Sequence, residues 1–197
     1  MPEQLAFPGF SDHGAKTDRL FYAIYPDADT AALLAKRAQD LRDEWGLTGA
    51  PLATARFHIT LHHLGDFAEL PQDLIVKAVE AAESLVAAPF DVVFDRAVSF
   101  GTRPGANSPF VLRGGDGLAG LVAFQGALGI AMMKTGRRLG ERVETNFTPH
   151  VTLLYDGRLI AERAVAPIGW TAREFVLVRS LLGKTRHIVI GRWPLRG

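Results

Sequence analysis

A tetrapeptide occurs twice in this chain, and that constrains the fold more than any other feature. His58-Ile59-Thr60-Leu61 returns in the second half as His150-Val151-Thr152-Leu153, with a phenylalanine just upstream of each copy (Phe57, Phe147). At average residue usage, a His-[Ile/Val]-Thr-Leu string is expected by accident in roughly 0.3% of chains of this length. Two copies therefore point to a duplicated unit. The coarse order of elements agrees, since each half offers a strand, a helix and then the strand that carries the tetrapeptide.

Strand alternation gives the repeat its meaning. His58 and Thr60 fall on one face, opposite Phe57, Ile59 and Leu61. His150 and Thr152 likewise share a face, opposite Phe147, Val151 and Leu153. Each strand presses an apolar side into a core and presents a His–Thr pair to a groove. Side by side, two such strands bring two imidazoles and two hydroxyls to one cavity.

The remaining pattern supplies the elements around these strands. RLFYAIY (19–25) reads as a strand ended by Pro26. A helix capped by Asp27 or Asp29 runs to about Trp45, where Gly46 stops it. RFHITLHHL is a strand closed at Gly65-Asp66, and a second helix follows from about Pro71 to Val86. Strands over 90–100 and 109–113, a helix from about Leu118 to Leu139, and a strand over 147–156 come next. Residues 173–182 and 186–193 form a hairpin around Gly183-Lys184. Residues 1–18 read as an irregular arm and 19–197 as a single bilobal domain. Strands and helices mix without strict βαβ alternation, so the fold class is α+β with antiparallel sheets.

Composition narrows the function. With 22 Lys+Arg against 21 Asp+Glu, the net charge is +1, which leaves no polybasic surface for bulk phosphate neutralisation on duplex nucleic acid. The chain has no cysteine, which removes disulfides, thiol nucleophiles and Cys-ligated metals. No apolar run is expected to approach the roughly 18 residues of a membrane span, and no secretory signal is visible at the start. The expected setting is cytoplasmic, with no membrane and no obligate protein partner.

Two histidines flanking a phosphorus can divide acid and base work. With an unperturbed pKa near 6.5, one imidazole can take a proton from water while the other gives one to the leaving oxygen. Threonine hydroxyls can hydrogen-bond the non-bridging oxygens as charge builds there. This chemistry asks for no cofactor and no metal. His58, His62 and His63 together suggest zinc, but alternation turns His63 away from His58.

With these residues in place, the sequence resembles the 2H phosphoesterases, named for two H-x-[ST]-hydrophobic motifs. Within them it is most similar to the bacterial RNA 2′,3′-cyclic phosphodiesterases, historically called 2′-5′ RNA ligases. RLFYAIYPD matches the opening strand, RFHITLHHLGD and FTPHVTL the two motifs, and SLLGKTRHIVIGRWPL the closing hairpin. The resemblance implies two lobes with antiparallel sheets, related by a pseudo-twofold axis around a central cleft, with helices outside. It implies His58 as donor to the leaving 3′ oxygen, His150 as acceptor from water, Thr60 and Thr152 on the phosphate, and a 2′-phosphomonoester as product. The substrate is expected to be an RNA end or a small cyclic-phosphate nucleotide. A binding module without turnover and reversible 2′-5′ end joining are the alternatives.

Around this core, His62 shares the alternation face of His58 and Thr60 and is a candidate for the cleft mouth. His63 reads as structural. Arg56, Arg103, Arg113 and Arg186 are candidate phosphate contacts, and Tyr155 or Trp170 could stack a base. His62 and His63 depart from the apolar pair usual before Leu-Gly, and Leu154-Tyr155 stands where a basic residue is common.

Overall fold

The computed structural model describes residues 15–101, 103–136 and 147–197. The arm expected over 1–18 therefore lies outside the described residues up to residue 14, and Asp18 already belongs to the first strand. The elements are β1 (Asp18–Ile24), α1 (Ala28–Trp45), β2 (Ile59–Phe67), α2 (Gln72–Glu83), β3 (Phe90–Ser99), β4 (Ser108–Arg113), α3 (Ala119–Lys134), β5 (His150–Asp156), β6 (Arg163–Ala172), β7 (Glu174–Leu181) and β8 (Arg186–Pro194).

They form two antiparallel four-stranded sheets, a first ordered β2-β1-β7-β8 and a second ordered β5-β4-β3-β6. The unit β1-α1-β2 recurs as β4-α3-β5, and the strand carrying the tetrapeptide is an edge strand in each sheet. The fold is α+β with the expected pseudo-twofold plan.

Local chemistry sets the boundaries. The Asp27 carboxylate accepts a hydrogen bond from the Thr30 N–H at 2.7 Å and starts α1. Gly46, at φ 64°, ends it in the left-handed conformation that costs glycine little. Between them Ala31, Leu34, Ala38 and Leu41 are buried on one stripe.

Each sheet turns one face to a shared core. Leu20, Tyr22, Ile24, Ile59 and Leu61 of the first sheet join Val92, Phe94, Phe110, Leu112 and Val151 of the second in one continuous cluster. The helices cover this core face, and α1 packs on β5 and β6, strands of the sheet to which its neighbours β1 and β2 do not belong. The opposite face of the first sheet carries a small cluster of Phe21, Ala23, Val176 and Val178.

Two expectations need correction. The sequence pattern does not anticipate β6, because RAVAPIGWTA contains Pro167 and Gly169 and lacks strand alternation. It is tolerated because it is an edge strand, and a bulge lets the chain between Ile168 (opposite Phe94) and Ala164 (opposite Arg96) bow away from β3. The second concerns apolar length. Asp116–Lys134, at 19 residues and mean hydropathy 1.4, is long and apolar enough by composition to cross a membrane. In the fold its Leu121, Phe124, Leu128 and Met132 are buried in the common core, which demands the same composition.

Candidate active site

The two tetrapeptide strands are brought together by the connection from α1 to β2, which is laced along β5. The Asp156 carboxylate, at the end of β5, accepts the Thr48 and Gly49 N–H groups at 2.6 and 2.7 Å, and the Thr48 hydroxyl at 3.1 Å. Leu52 N–H then donates to Leu153 O at 2.8 Å. Gly49 is required by this approach, since a Cβ there would sit 1.9 Å from the Tyr155 carbonyl oxygen. A single 3₁₀ turn, Thr54–Arg56, releases the chain into His58 and β2.

Alternation holds through the tetrapeptides and then fails, identically in both. Ala23 pairs with Thr60 but Tyr22 with His62, so Leu61 is an extra residue; Val111 pairs with Thr152 but Phe110 with Leu154, so Leu153 is its counterpart. These bulges shift all later side chains to the other face. A second bulge in β2, at Leu64, pairs Phe21 with His63 and Leu20 with Gly65. The cleft face of β2 therefore reads Thr60, His63, Asp66, every third residue. His62 turns the other way, and its Nε2–H donates to the Gln125 carbonyl of α3 at 2.8 Å. The expectations for His62 and His63 are thus exchanged: His63 lines the cleft and His62 does not. Across the pseudo-twofold axis, Tyr155 is the counterpart of His63 and buried Leu154 that of His62.

A cavity of 460 Å³ joins the two strands, and His58, Thr60, His150, Thr152, Arg56 and Tyr155 all line it. The imidazoles are set alike. His58 Nδ1–H donates to the carbonyl of Arg56 at 2.7 Å, and His150 Nδ1–H to that of Thr148 at 2.8 Å, in each case two residues back. A carbonyl can only accept, so this fixes the proton on Nδ1 and leaves Nε2 as the chemically available nitrogen. His58 stands among the rings of Phe21, Tyr25 and His187, at 5.2, 6.0 and 5.1 Å between centroids. Burial pushes its pKa down to about 4, helped by the proximity of His187, His150 and Arg56.

Several wall residues carry no signal in the linear pattern. Arg19 grips both oxygens of Asp66 at 2.7 and 2.8 Å, and His63 Nε2–H donates to the same carboxylate at 2.9 Å. The Arg19 guanidinium above all, with His63, holds the Asp66 carboxyl far below the usual range. His187, from β8, shares a hydrogen bond of 2.9 Å with the Tyr25 hydroxyl. Burial first, then Arg56, lowers its pKa. Gly65, at φ 143°, was the available hint of a bulge in β2; nothing short of the β7–β8 register would have placed His187. Of the remaining candidates, Arg103, Arg113 and Arg186 do not line the cavity. Arg113 pairs with Glu162 at 2.9 Å. Trp170 is buried against Phe94 and borders a second cavity. Among the described residues, no group of three or more His, Asp or Glu is arranged to hold a metal ion.

Two antiparallel sheets that each offer a His-x-Thr edge strand to one cleft define a 2H phosphoesterase fold. The chain belongs to the 2′-5′ RNA ligase superfamily, whose family profile matches residues 26–184. Among solved structures, TT0787 of Thermus thermophilus is similar at 22% identity and a TM-score of 0.70, over 91% of this chain and 98% of that one. Escherichia coli LigT in apo form is similar at 24% identity and a TM-score of 0.66, over 93% and 100% of the two chains. LigT complexed with 3′-AMP gives 22% identity and a TM-score of 0.65, over 92% and 100%. At these identities the likeness concerns the fold. No curated protein matches the chain by sequence.

Proposed function

We propose that the protein is a phosphodiesterase that opens 2′,3′-cyclic phosphates at RNA ends or on nucleotides, leaving a 2′-phosphomonoester. The observation that carries this reading is the matched pair of imidazoles, each with Nδ1 committed to a carbonyl and Nε2 available, both lining one cavity. That is the arrangement an in-line displacement at phosphorus needs. One Nε2 takes a proton from water as its oxygen bonds to phosphorus. The P–O3′ bond breaks, and the other imidazolium protonates O3′ from the far side. Thr60 and Thr152 donate to the non-bridging oxygens, with Arg56 beside them. By family resemblance His58 is the donor and His150 the acceptor. The cyclic phosphate is an anion, and once seated it favours the imidazolium of His58 that burial disfavours in the free protein. The crystal complexes of LigT with 3′-AMP and with ATP support a nucleotide as the ligand class.

The test is turnover of 2′,3′-cyclic nucleotides in EDTA, with the product resolved as 2′- or 3′-phosphate. We expect the 2′-phosphate, and losses on the order of 10² to 10⁴ in rate for His58→Gln and for His150→Gln. No turnover between pH 4 and 8 would overturn the reading. A cyclic substrate with sulfur in place of O3′ releases a thiolate that needs no proton. It should restore the variant lacking the donor and not the one lacking the acceptor.

A further inference from the structure

A second cavity, of 520 Å³, opens on the far side of His187, whose imidazole belongs to both walls. Its floor continues the floor of the first. The β7–β8 register sets Val189 opposite Val178 and Arg192 opposite Val176, and Val176 and Val178 pack with Phe21 beneath the histidine pair. Its other wall comes from the second sheet, through Trp170 and Thr171. The two cavities are thus successive stations along one face of the first sheet. Each falls in the size range that holds a whole small-molecule ligand, about 300–1,000 Å³, so a cyclic-phosphate mononucleotide does not need the second.

The lining says what the second station suits. Tyr25 brings partly exposed aromatic surface, the largely buried Trp170 contributes only an edge to the wall, and Val189 leaves an apolar side chain 40% exposed at the floor. Its two carboxylates are already engaged: Asp27 caps α1, and Glu174 pairs with Arg192. Arg173 is exposed and, among the described residues, has no carboxylate partner. An apolar and aromatic trough with one uncommitted guanidinium matches a base with a phosphodiester at its edge.

We infer that the cavity beyond His187 receives the nucleotide preceding the terminal cyclic phosphate, so that the preferred substrate is an RNA 3′ end at least two nucleotides long. This rests on the cyclic phosphodiesterase reading. The experiment compares kcat/KM for a dinucleotide and a mononucleotide, both ending in 2′,3′-cyclic phosphate. One stacked base supports an advantage on the order of tenfold or more for the dinucleotide. Arg173→Glu and Val189→Asp should each bring that ratio towards one, and Arg173→Glu should remove the extra salt dependence shown by the dinucleotide. A wild-type ratio near one, or a ratio that neither variant changes, overturns the inference. Affinities for the 2′-phosphate dinucleotide and mononucleotide are measured in parallel by calorimetry. Absent turnover would sink only the hydrolytic reading, and the affinity ratio would still decide the second cavity by the same criteria.

Discussion

His58 is where burial and chemistry meet in a single side chain. Surrounded by Phe21, Tyr25 and His187, its imidazole has a pKa lowered to about 4 in the free protein. The pH dependence of kcat/KM reports ionisations of the free enzyme, and that of kcat reports the complex. Whether His58 gives or takes the proton, acid and base work cannot be divided once both imidazoles are protonated, and that requires protonating the reluctant His58. We therefore expect kcat/KM for a cyclic mononucleotide to fall on the acid side only as pH approaches 4. The acidic limb of kcat should lie at higher pH, because the bound phosphate anion favours the imidazolium. Rates measured from pH 3.5 to 8 check this, and a kcat/KM limb near 6.5 would contradict the burial of His58. That His58, Thr60, His150 and Thr152 would meet in one cavity was legible because a repeated His-x-Thr on an alternating strand says where its side chains point. The carbonyls that fix the tautomers, on Arg56 and Thr148, were not legible, since they belong to the backbone and depend on how the strand is entered.

At the scale of elements, the edge strands β2 and β5 do more than alternate. Their shared bulge at Leu61 and Leu153 turns the next residue, His62 or Leu154, away from the cleft and the one after, His63 or Tyr155, towards it. His62→Leu should consequently leave kcat and KM within about twofold of wild type, because the equivalent position already holds leucine. The lost hydrogen bond to Gln125 should lower stability by about 1 kcal/mol. A large fall in kcat with an intact fold would put His62 back at the site. The connection that seats β2 against β5 is more fragile. In Gly49→Ala the new methyl meets the Tyr155 carbonyl, which is backbone and has no rotamer to yield. Overpacking of this kind costs about 1–3 kcal/mol. Denaturant titration should show that loss, and the rate of the proposed cyclic phosphodiesterase reaction should fall with it. Unchanged stability would mean that the lacing along β5 is not what joins the motif strands. The same scale explains what the linear pattern hid. Period-2 counting fails at a bulge because the extra residue is set by partner pairing, and β6 was invisible because Pro167 is tolerated only at a sheet edge.

Taken whole, the molecule has two sheets but one interior. Tyr22 of the first sheet donates to the Ala78 carbonyl of α2 and touches Met132 of α3, which descends from the second sheet's repeat unit. Phe94, Phe110 and Phe175 belong to the same buried cluster. An interior shared in this way cannot lose one lobe without exposing the other, so residues 19–197 should unfold in a single cooperative transition. Acid makes the sharper test, because its sensors are spread over both sheets. Asp18 is held by Arg179 at 2.5 Å, and this ion pair above all lowers its pKa. At Asp156 burial opposes ionisation, but the N–H groups of Arg158, Gly49 and Thr48 outweigh it and the pKa is lowered. A carboxyl whose folded pKa is depressed stabilises above its unfolded value, near 3.9, and loses that contribution as pH falls through the folded value. His58 and His187 act earlier, since the unfolded chain binds protons below about 6.5 that these partly buried imidazoles refuse until lower pH. Stability should thus decline gently from about pH 6.5 and steeply below about 4. Single-tryptophan variants keeping Trp193 in the first sheet or Trp170 in the second should report the same acid midpoint as far-UV circular dichroism. Separate midpoints for the two would show that the lobes are independent folding units and that the common core does not couple them.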